Sequence, residues 1–207
     1  MFSRFAIYAN VVGRTNYIQS RARIVRHAII REVLVFQYGS NTSAKRLNGV
    51  DRLCGAARDC GLAETVEEYV LAFTHFSRKN RCGVADLVTN DRDRTRIYGV
   101  AYDVPNHRVV RSEASKSEKT LDDIEGEGLA YRRTTIKIIL ADGSVTNATT
   151  YLVLKPSQNV PTLPSYVSHI VNGLRAHHAP ASYLYYVIHR AILSAPERAQ
   201  AFTALLG

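Results

Sequence analysis

The stretch Val33-Leu34-Val35-Phe36-Gln37-Tyr38-Gly39-Ser40-Asn41 decides how this chain is read. A β-prone apolar run broken by Gly-Ser-Asn describes a strand over Val33–Tyr38 that ends in a tight turn. Glycine tolerates positive φ there and asparagine tolerates the left-handed region. Consecutive N–H groups in such a turn can converge on an anion or an oxyanion. The same junction alone is also an ordinary turn, so a second element has to decide. That element is Leu121-Asp122-Asp123-Ile124-Glu125-Gly126, followed by Tyr131 and a new β-prone run.

Working outward, 207 residues suit one compact domain with a full core of its own. Charged residues at 22% and apolar residues at 46% are ordinary for a soluble globular protein. No window approaches the ~18 uninterrupted apolar residues of a membrane span. Cys54, Cys60 and Cys82 are odd in number and contain no C-x-x-C pair, so they read as reduced thiols of a cytosolic protein. The net charge of +9 invites a nucleic-acid reading, but six arginines and no acid lie in residues 1–31, leaving +3 on the other 176. A nucleic-acid groove should cross the folded domain instead. The expected division is therefore a basic extension over 1–31 and a single domain over 32–207. The extension reads as dispensable, as an organellar targeting segment or as a partner-binding arm, and these readings stay open.

Along the body, Thr42–Asn48 suits one helical turn with Lys45 and Arg46 exposed. Residues 64–77 alternate through Tyr69, Leu71 and Phe73 as a strand, although Glu64, Glu67 and Glu68 read equally as a helical turn. Gly83–Thr89 is a short apolar run, and Ile97–Val104 is a strand closed by Pro105. Residues 106–120 are polar. Thr120 and Asp123 match a capping box that opens a short helix. Thr134–Leu140 and Asn147–Leu154, joined at Asp142-Gly143, form a hairpin. After a loop from Pro156 to Pro164, Ser165–His177 and Ala181–Ala195 are helices, the first with Tyr166, Ile170, Val171 and Leu174 inward.

Few titratable groups suggest chemistry. The seven histidines form no H-x-x-x-H or H-E-x-x-H pattern, and His177-His178 on a helix end suit the surface. Ser40 lies in no G-x-S-x-G elbow, and Gly126-Glu127-Gly128 is too short for a dinucleotide or phosphate loop. The basic clusters at 78–81 and 92–96 read as solvated loops. Glu125 remains, beside Gly126, where backbone approaches a ligand closely. It is either a solvated loop residue or, in an apolar pocket, a carboxyl raised toward neutrality and able to exchange protons.

Tyr38-Gly39-Ser40-Asn41, Gly99-Val100-Ala101-Tyr102, the 121–126 segment with Tyr131, Thr150-Tyr151-Leu152 and Pro164-Ser165-Tyr166 occur in this order. In order and spacing this set resembles the γ-glutamylcyclotransferase (AIG2-like) family over roughly residues 33–192. The resemblance implies a mixed α/β (α+β) fold, a small β-barrel flanked by helices. It also implies an enzyme that releases 5-oxoproline and a free amine from a γ-glutamyl compound by intramolecular cyclisation, with no metal or organic cofactor. Glu125 would be the general acid/base, and Gln37, Tyr38, Gly39, Ser40, Asn41, Tyr131, Tyr151 and Tyr166 would contact substrate. Asn41 favours the γ-glutamylcyclotransferase branch over the glutathione-specific branch, which has leucine there, and over the γ-glutamylamine branch, which has Tyr-Gly-Thr-Leu. Gln37 replaces the usual alanine, and Asn41 is not followed by the usual Leu or Met. Both departures bear on substrate choice. The expected partner is a small γ-glutamyl molecule, with no nucleic acid and no membrane, in the cytoplasm, and the oligomeric state is left open. The alternative is a non-catalytic member that binds a γ-glutamyl-like or acidic metabolite.

Overall fold

The computed structural model describes residues 31–89, 92–112, 118–158 and 160–207. The reading of 1–31 as an extension therefore lies, except for Arg31, outside the described residues. Seven strands follow in chain order: β1 Glu32–Gln37, β2 Arg58–Thr65, β3 Val70–Ser77, β4 Cys82–Val88, β5 Tyr98–Pro105, β6 Tyr131–Leu140 and β7 Val145–Val153. Five of them close a barrel in the order β1-β5-β2-β6-β7, while β3 and β4 form a separate two-stranded sheet. Barrel neighbours are antiparallel except at the closure, where Val35 of β1 pairs in parallel with Thr149 of β7. This is the small flanked barrel that the family resemblance implied. The helices are α1 Ala44–Leu47, α2 Asn106–Val109, α3 Leu121–Glu125, α4 Pro164–Ala176, α5 Ala181–Ser194 and α6 Ala199–Thr203. None of the described helices is long and apolar enough to cross a membrane.

The clearest local signals formed what they encode. Gly143 at φ +83 turns β6 into β7, and Thr120 and Asp123 make a reciprocal capping box at the start of α3. Pro164 at the first turn of α4 suits a helix N-terminus, where its missing N–H costs no bond. Tyr166, Ile170, Val171 and Leu174 are buried against the barrel as expected.

The segment 64–77 differs from its reading as one strand or a helical turn. Glu64 and Thr65 close β2, the chain bends over 66–68, and a new strand starts at Val70. Thr65 makes this bend: its hydroxyl donates to the Glu67 carbonyl at 2.6 Å and accepts the Ile97 N–H at 3.0 Å. β2 itself gave no strand signal. Arg58, Asp59, Gly61 and Glu64 are poor strand formers, and a bulge at Gly61 (φ +95) breaks their alternation. Pairing with β5 and β6 holds these residues in a strand that their own propensities do not favour.

One packing contact positions the turn after β1. Ser40–Thr42 form a single 3-10 turn whose three residues are buried. The Tyr102 hydroxyl of β5 donates to the Thr42 carbonyl at 3.0 Å on one side. On the other side α4 lies so close that a Cβ on Gly173 would meet Thr42 backbone carbon at 2.5 Å and Ser43 nitrogen at 2.6 Å. Gly173→Ala therefore sets a helix-propensity gain of about 1 kcal/mol against overpacking worth about 1–3 kcal/mol. Because the clash is with backbone, overpacking should win. The variant should lose about 1–2 kcal/mol in urea unfolding, and an unchanged or raised midpoint would contradict the packing described.

Candidate active site

The five-residue helix α3 is held at both ends and underneath. Its N-terminus carries the capping box, and Gly126, left-handed at φ +70, stops it directly after Glu125. Underneath, Asp122 is buried and accepts from Arg133 Nη1 at 2.6 Å, the Arg111 N–H at 2.9 Å and the Tyr151 hydroxyl at 2.8 Å. These bonds tie the helix to β6 and β7, so the direction of Glu125 is set by its neighbours on both sides.

Glu125 points toward the turn after β1. Asn41 Nδ2 donates to Glu125 Oε1 at 2.6 Å, and Arg52 Nη2 donates to Asn41 Oδ1 at 2.6 Å. Arginine has no acceptor, so it selects the amide oxygen and turns the NH2 toward the carboxylate. Burial raises the Glu125 pKa, against the lowering effects of Arg52, the Asn41 bond and Arg46. Desolvation outweighs the three together. The result is a carboxyl above its ordinary range, with one oxygen occupied by Asn41.

All nine residues singled out from the sequence meet at one niche. Gln37, Tyr38, Gly39, Ser40, Asn41, Glu125, Tyr131, Tyr151 and Tyr166 line an inner cavity of about 30 Å³, together with Ala85 and Thr150. Five of them (Ser40, Asn41, Glu125, Tyr131 and Tyr166) also line an outer cleft of about 710 Å³. Glu125 thus stands at the waist between a narrow interior and a broad mouth.

The tyrosines are engaged with protein atoms. The Tyr38 hydroxyl donates to the Tyr151 carbonyl at 2.5 Å, and that of Tyr131 donates to the Ala85 carbonyl at 3.3 Å. The Tyr166 oxygen accepts the Ala85 N–H at 3.1 Å and is also stabilised by Ser40. Ala85 on β4 therefore has both backbone groups satisfied by phenols, which seats the β3-β4 sheet on the site. Burial holds Tyr38, Tyr131 and Tyr151 far above the ordinary phenol range, and Tyr166 is pushed up to about 12. The lining is consequently neutral around one acid.

Two sequence readings change here. Arg46 is half-buried, unlike exposed Lys45. It donates to Asn80 Oδ1 at 3.2 Å and contacts His169 Nε2 at 3.4 Å on the cleft wall. The basic cluster at 78–81 contributes Arg78 and Lys79 to the same cleft and is not merely a solvated loop. Sequence reasoning also missed Arg52 and Asp122. Arg52 lies in a weakly patterned turn, while Asp122 looked like any acid in the first turn of a helix.

A cavity of about 870 Å³ elsewhere borders β3, β4 and β7 and contains the buried carboxyl of Asp86. Its oxygens accept from Thr74 Oγ1 at 2.8 Å, Leu87 N–H at 2.9 Å and Val153 N–H at 3.0 Å. A carboxyl satisfied in this way joins strands. Among the described residues no three His, Cys, Asp or Glu side chains gather as a metal site. Cys54, Cys60 and Cys82 are free thiols.

Residues 96–187 match the model of the AIG2-like family. A solved γ-glutamyl cyclotransferase superposes with a TM-score of 0.61 at 20% identity, covering 76% of this chain and 86% of that one. An uncharacterized human protein matches with a TM-score of 0.61 at 21% identity, over 75% and 86% of the two chains. YkqA from Bacillus subtilis matches with a TM-score of 0.58 at 23% identity, over 77% of this chain and 54% of its own. No curated protein matches by sequence. At these identities the superpositions establish a shared fold.

The Tyr151 hydroxyl is spent on Asp122, so its removal should weaken the fold. Tyr151→Phe should lose about 1–2 kcal/mol, since it leaves a buried carboxylate oxygen without a donor. Urea denaturation measures this, and wild-type stability would show that the Asp122 contact contributes nothing.

Proposed function

We propose that this chain, whose residues 96–187 match the AIG2-like family model, is a γ-glutamylcyclotransferase that uses Glu125 as its proton carrier. The observation that carries this reading is a carboxyl with raised pKa, aimed by Asn41 and Arg52, between a narrow neutral niche and a wide cleft. The glutamyl part of the substrate would lie against the niche side of Glu125, whose inner space of about 30 Å³ takes only a group of about water size, and its amine part would point outward along the cleft.

The Glu125 carboxylate takes a proton from the substrate's α-ammonium, and the freed lone pair attacks the γ-carbonyl carbon. A C–N bond forms and the carbonyl oxygen becomes an oxyanion, which the turn at Gly39-Ser40-Asn41 stabilises through its N–H groups. The attacking nitrogen then gives up a second proton. Glu125 delivers protons to the departing nitrogen, the original C–N bond breaks, and 5-oxoproline separates from the amine. Two protons pass from the α-nitrogen to the leaving nitrogen and none is consumed. A raised carboxyl suits both halves, because it is a stronger base than an ordinary carboxylate when it accepts and still an acid when it returns the proton. Ring closure is intramolecular, so holding the substrate folded supplies much of the remaining acceleration.

Glu125→Gln should preserve the fold and lower 5-oxoproline release from γ-glutamyl dipeptides by about 10²–10⁴-fold; retained activity would remove Glu125 from this role. In the wild type, kcat/KM should fall as pH drops through the raised Glu125 pKa, because the free enzyme needs the ionised form. Arg52→Met removes the largest opposing cation and should move this acid limb to higher pH. A limb in the ordinary carboxylate range that Arg52→Met leaves in place would contradict the assignment.

A further inference from the structure

The outer cleft has a charge that the cyclisation chemistry does not require. Its lining includes four cations, Arg46, Arg52, Arg78 and Lys79, and two acids, Asp123 and Glu125. Asp123 is already held by Arg111 Nε at 2.6 Å and by the Thr120 hydroxyl at 2.8 Å. Lys79 pairs with Asp51 at 3.3 Å. Arg46 and Arg52 bond to neutral groups: Asn80 and His169 for the first, Asn41 for the second.

Neither guanidinium is saturated. Nε of Arg46 and Nε of Arg52 are buried without a hydrogen-bond partner among the described residues. Burial lowers the pKa of Arg52 and of neighbouring His169, and the cations add to it: Arg46 acts on Arg52, and both arginines act on His169. Two unsaturated cations on one cavity wall, with Glu125 beside them toward the niche, form an anion site that no other carboxylate among the described residues fills. A guanidinium fork fits a carboxylate through paired N–H bonds, and a second anionic group is needed to satisfy the second fork. Phe76 and Leu129, both exposed at the mouth, offer apolar surface to the carbon chain between such groups.

We propose that Arg46 and Arg52 read the leaving group, so that preferred substrates are γ-glutamyl compounds whose amine component carries two acidic groups. This rests on the orientation proposed above, with the glutamyl part inward. A leaving group with one carboxylate satisfies one arginine, and an alkylamine satisfies neither.

Binding tests this separately from turnover. The full chain carrying Glu125→Gln would be titrated calorimetrically with γ-glutamyl-glutamate, γ-glutamyl-alanine and γ-glutamyl-ethylamide. Affinity should fall in that order, by about tenfold or more from first to last, the usual scale of charge-assisted hydrogen bonds. Added salt should weaken the diacid most. Arg46→Gln in the same background should bring γ-glutamyl-glutamate down to γ-glutamyl-alanine, with the ethylamide unchanged as a control on folding, and Arg46→Lys should keep part of the order. Equal affinities, equal losses for all three compounds, or no binding by any would overturn the subsite. Ordered affinities together with a wild type that releases no 5-oxoproline would keep the subsite and overturn the reaction.

Discussion

The hydrogen bond from Asn41 to Glu125 is the contact on which the site depends. It joins a turn and a helix that lie 84 residues apart in sequence, at a donor–acceptor distance of 2.6 Å. Every larger feature bears on it. The barrel strands β1 and β5 carry the turn, α4 presses on it where Gly173 has no side chain, and Asp122 anchors the helix that offers Glu125. Arg52 completes the arrangement by leaving the Asn41 amide only one useful orientation. A displacement at any of these supports would reach the carboxyl through the same bond.

The electrostatics around Glu125 are a balance of unequal terms. Withdrawal from water favours the protonated carboxyl, while Arg52, Asn41 and Arg46 favour the ionised one. The first effect is larger, so the carboxyl stands above its ordinary range. The tyrosines keep this balance undisturbed. Their hydroxyls are used to hold backbone and Asp122, burial keeps them protonated, and their rings exclude water. Tyr151 illustrates the division: its ring lines the niche and its hydroxyl serves the scaffold.

Much of this was legible where the information is local. An Asp-Gly hairpin and a Thr-x-x-Asp cap each encode their geometry within a few residues, and each formed. The strand before Gly-Ser-Asn also ends where expected, but Gly39 is extended at φ −94 and Asn41 lies in a 3-10 turn, so the turn does not use the positive φ that the residue types suggested. The nine candidate residues also meet in one niche, most of them at or beside the ends of β1, α3, β6 and α4, with Tyr151 on β7 facing the same centre. What stayed hidden is non-local. β2 is a strand because β5 and β6 pair with it, despite Gly61 and its charged residues. Arg46 read as an exposed cation and Arg52 was not singled out, because nothing in their neighbourhood along the chain shows that residues of α4, β3 and α3 line one cleft with them. Thr42, where the resembled family has Leu or Met, is understood only beside Gly173, whose missing side chain leaves it room.

The most direct test of this account follows the atoms of the substrate. A γ-glutamyl dipeptide labelled with heavy nitrogen at its α-amine would be incubated with the wild-type protein in water enriched in heavy oxygen, and the products weighed by mass spectrometry. Intramolecular attack predicts 5-oxoproline that keeps the labelled nitrogen in its ring and gains no oxygen from water, together with an unlabelled amine. Glutamate carrying a heavy oxygen would mean that water is the nucleophile, and the assignment of this barrel as a site of cyclisation would be contradicted.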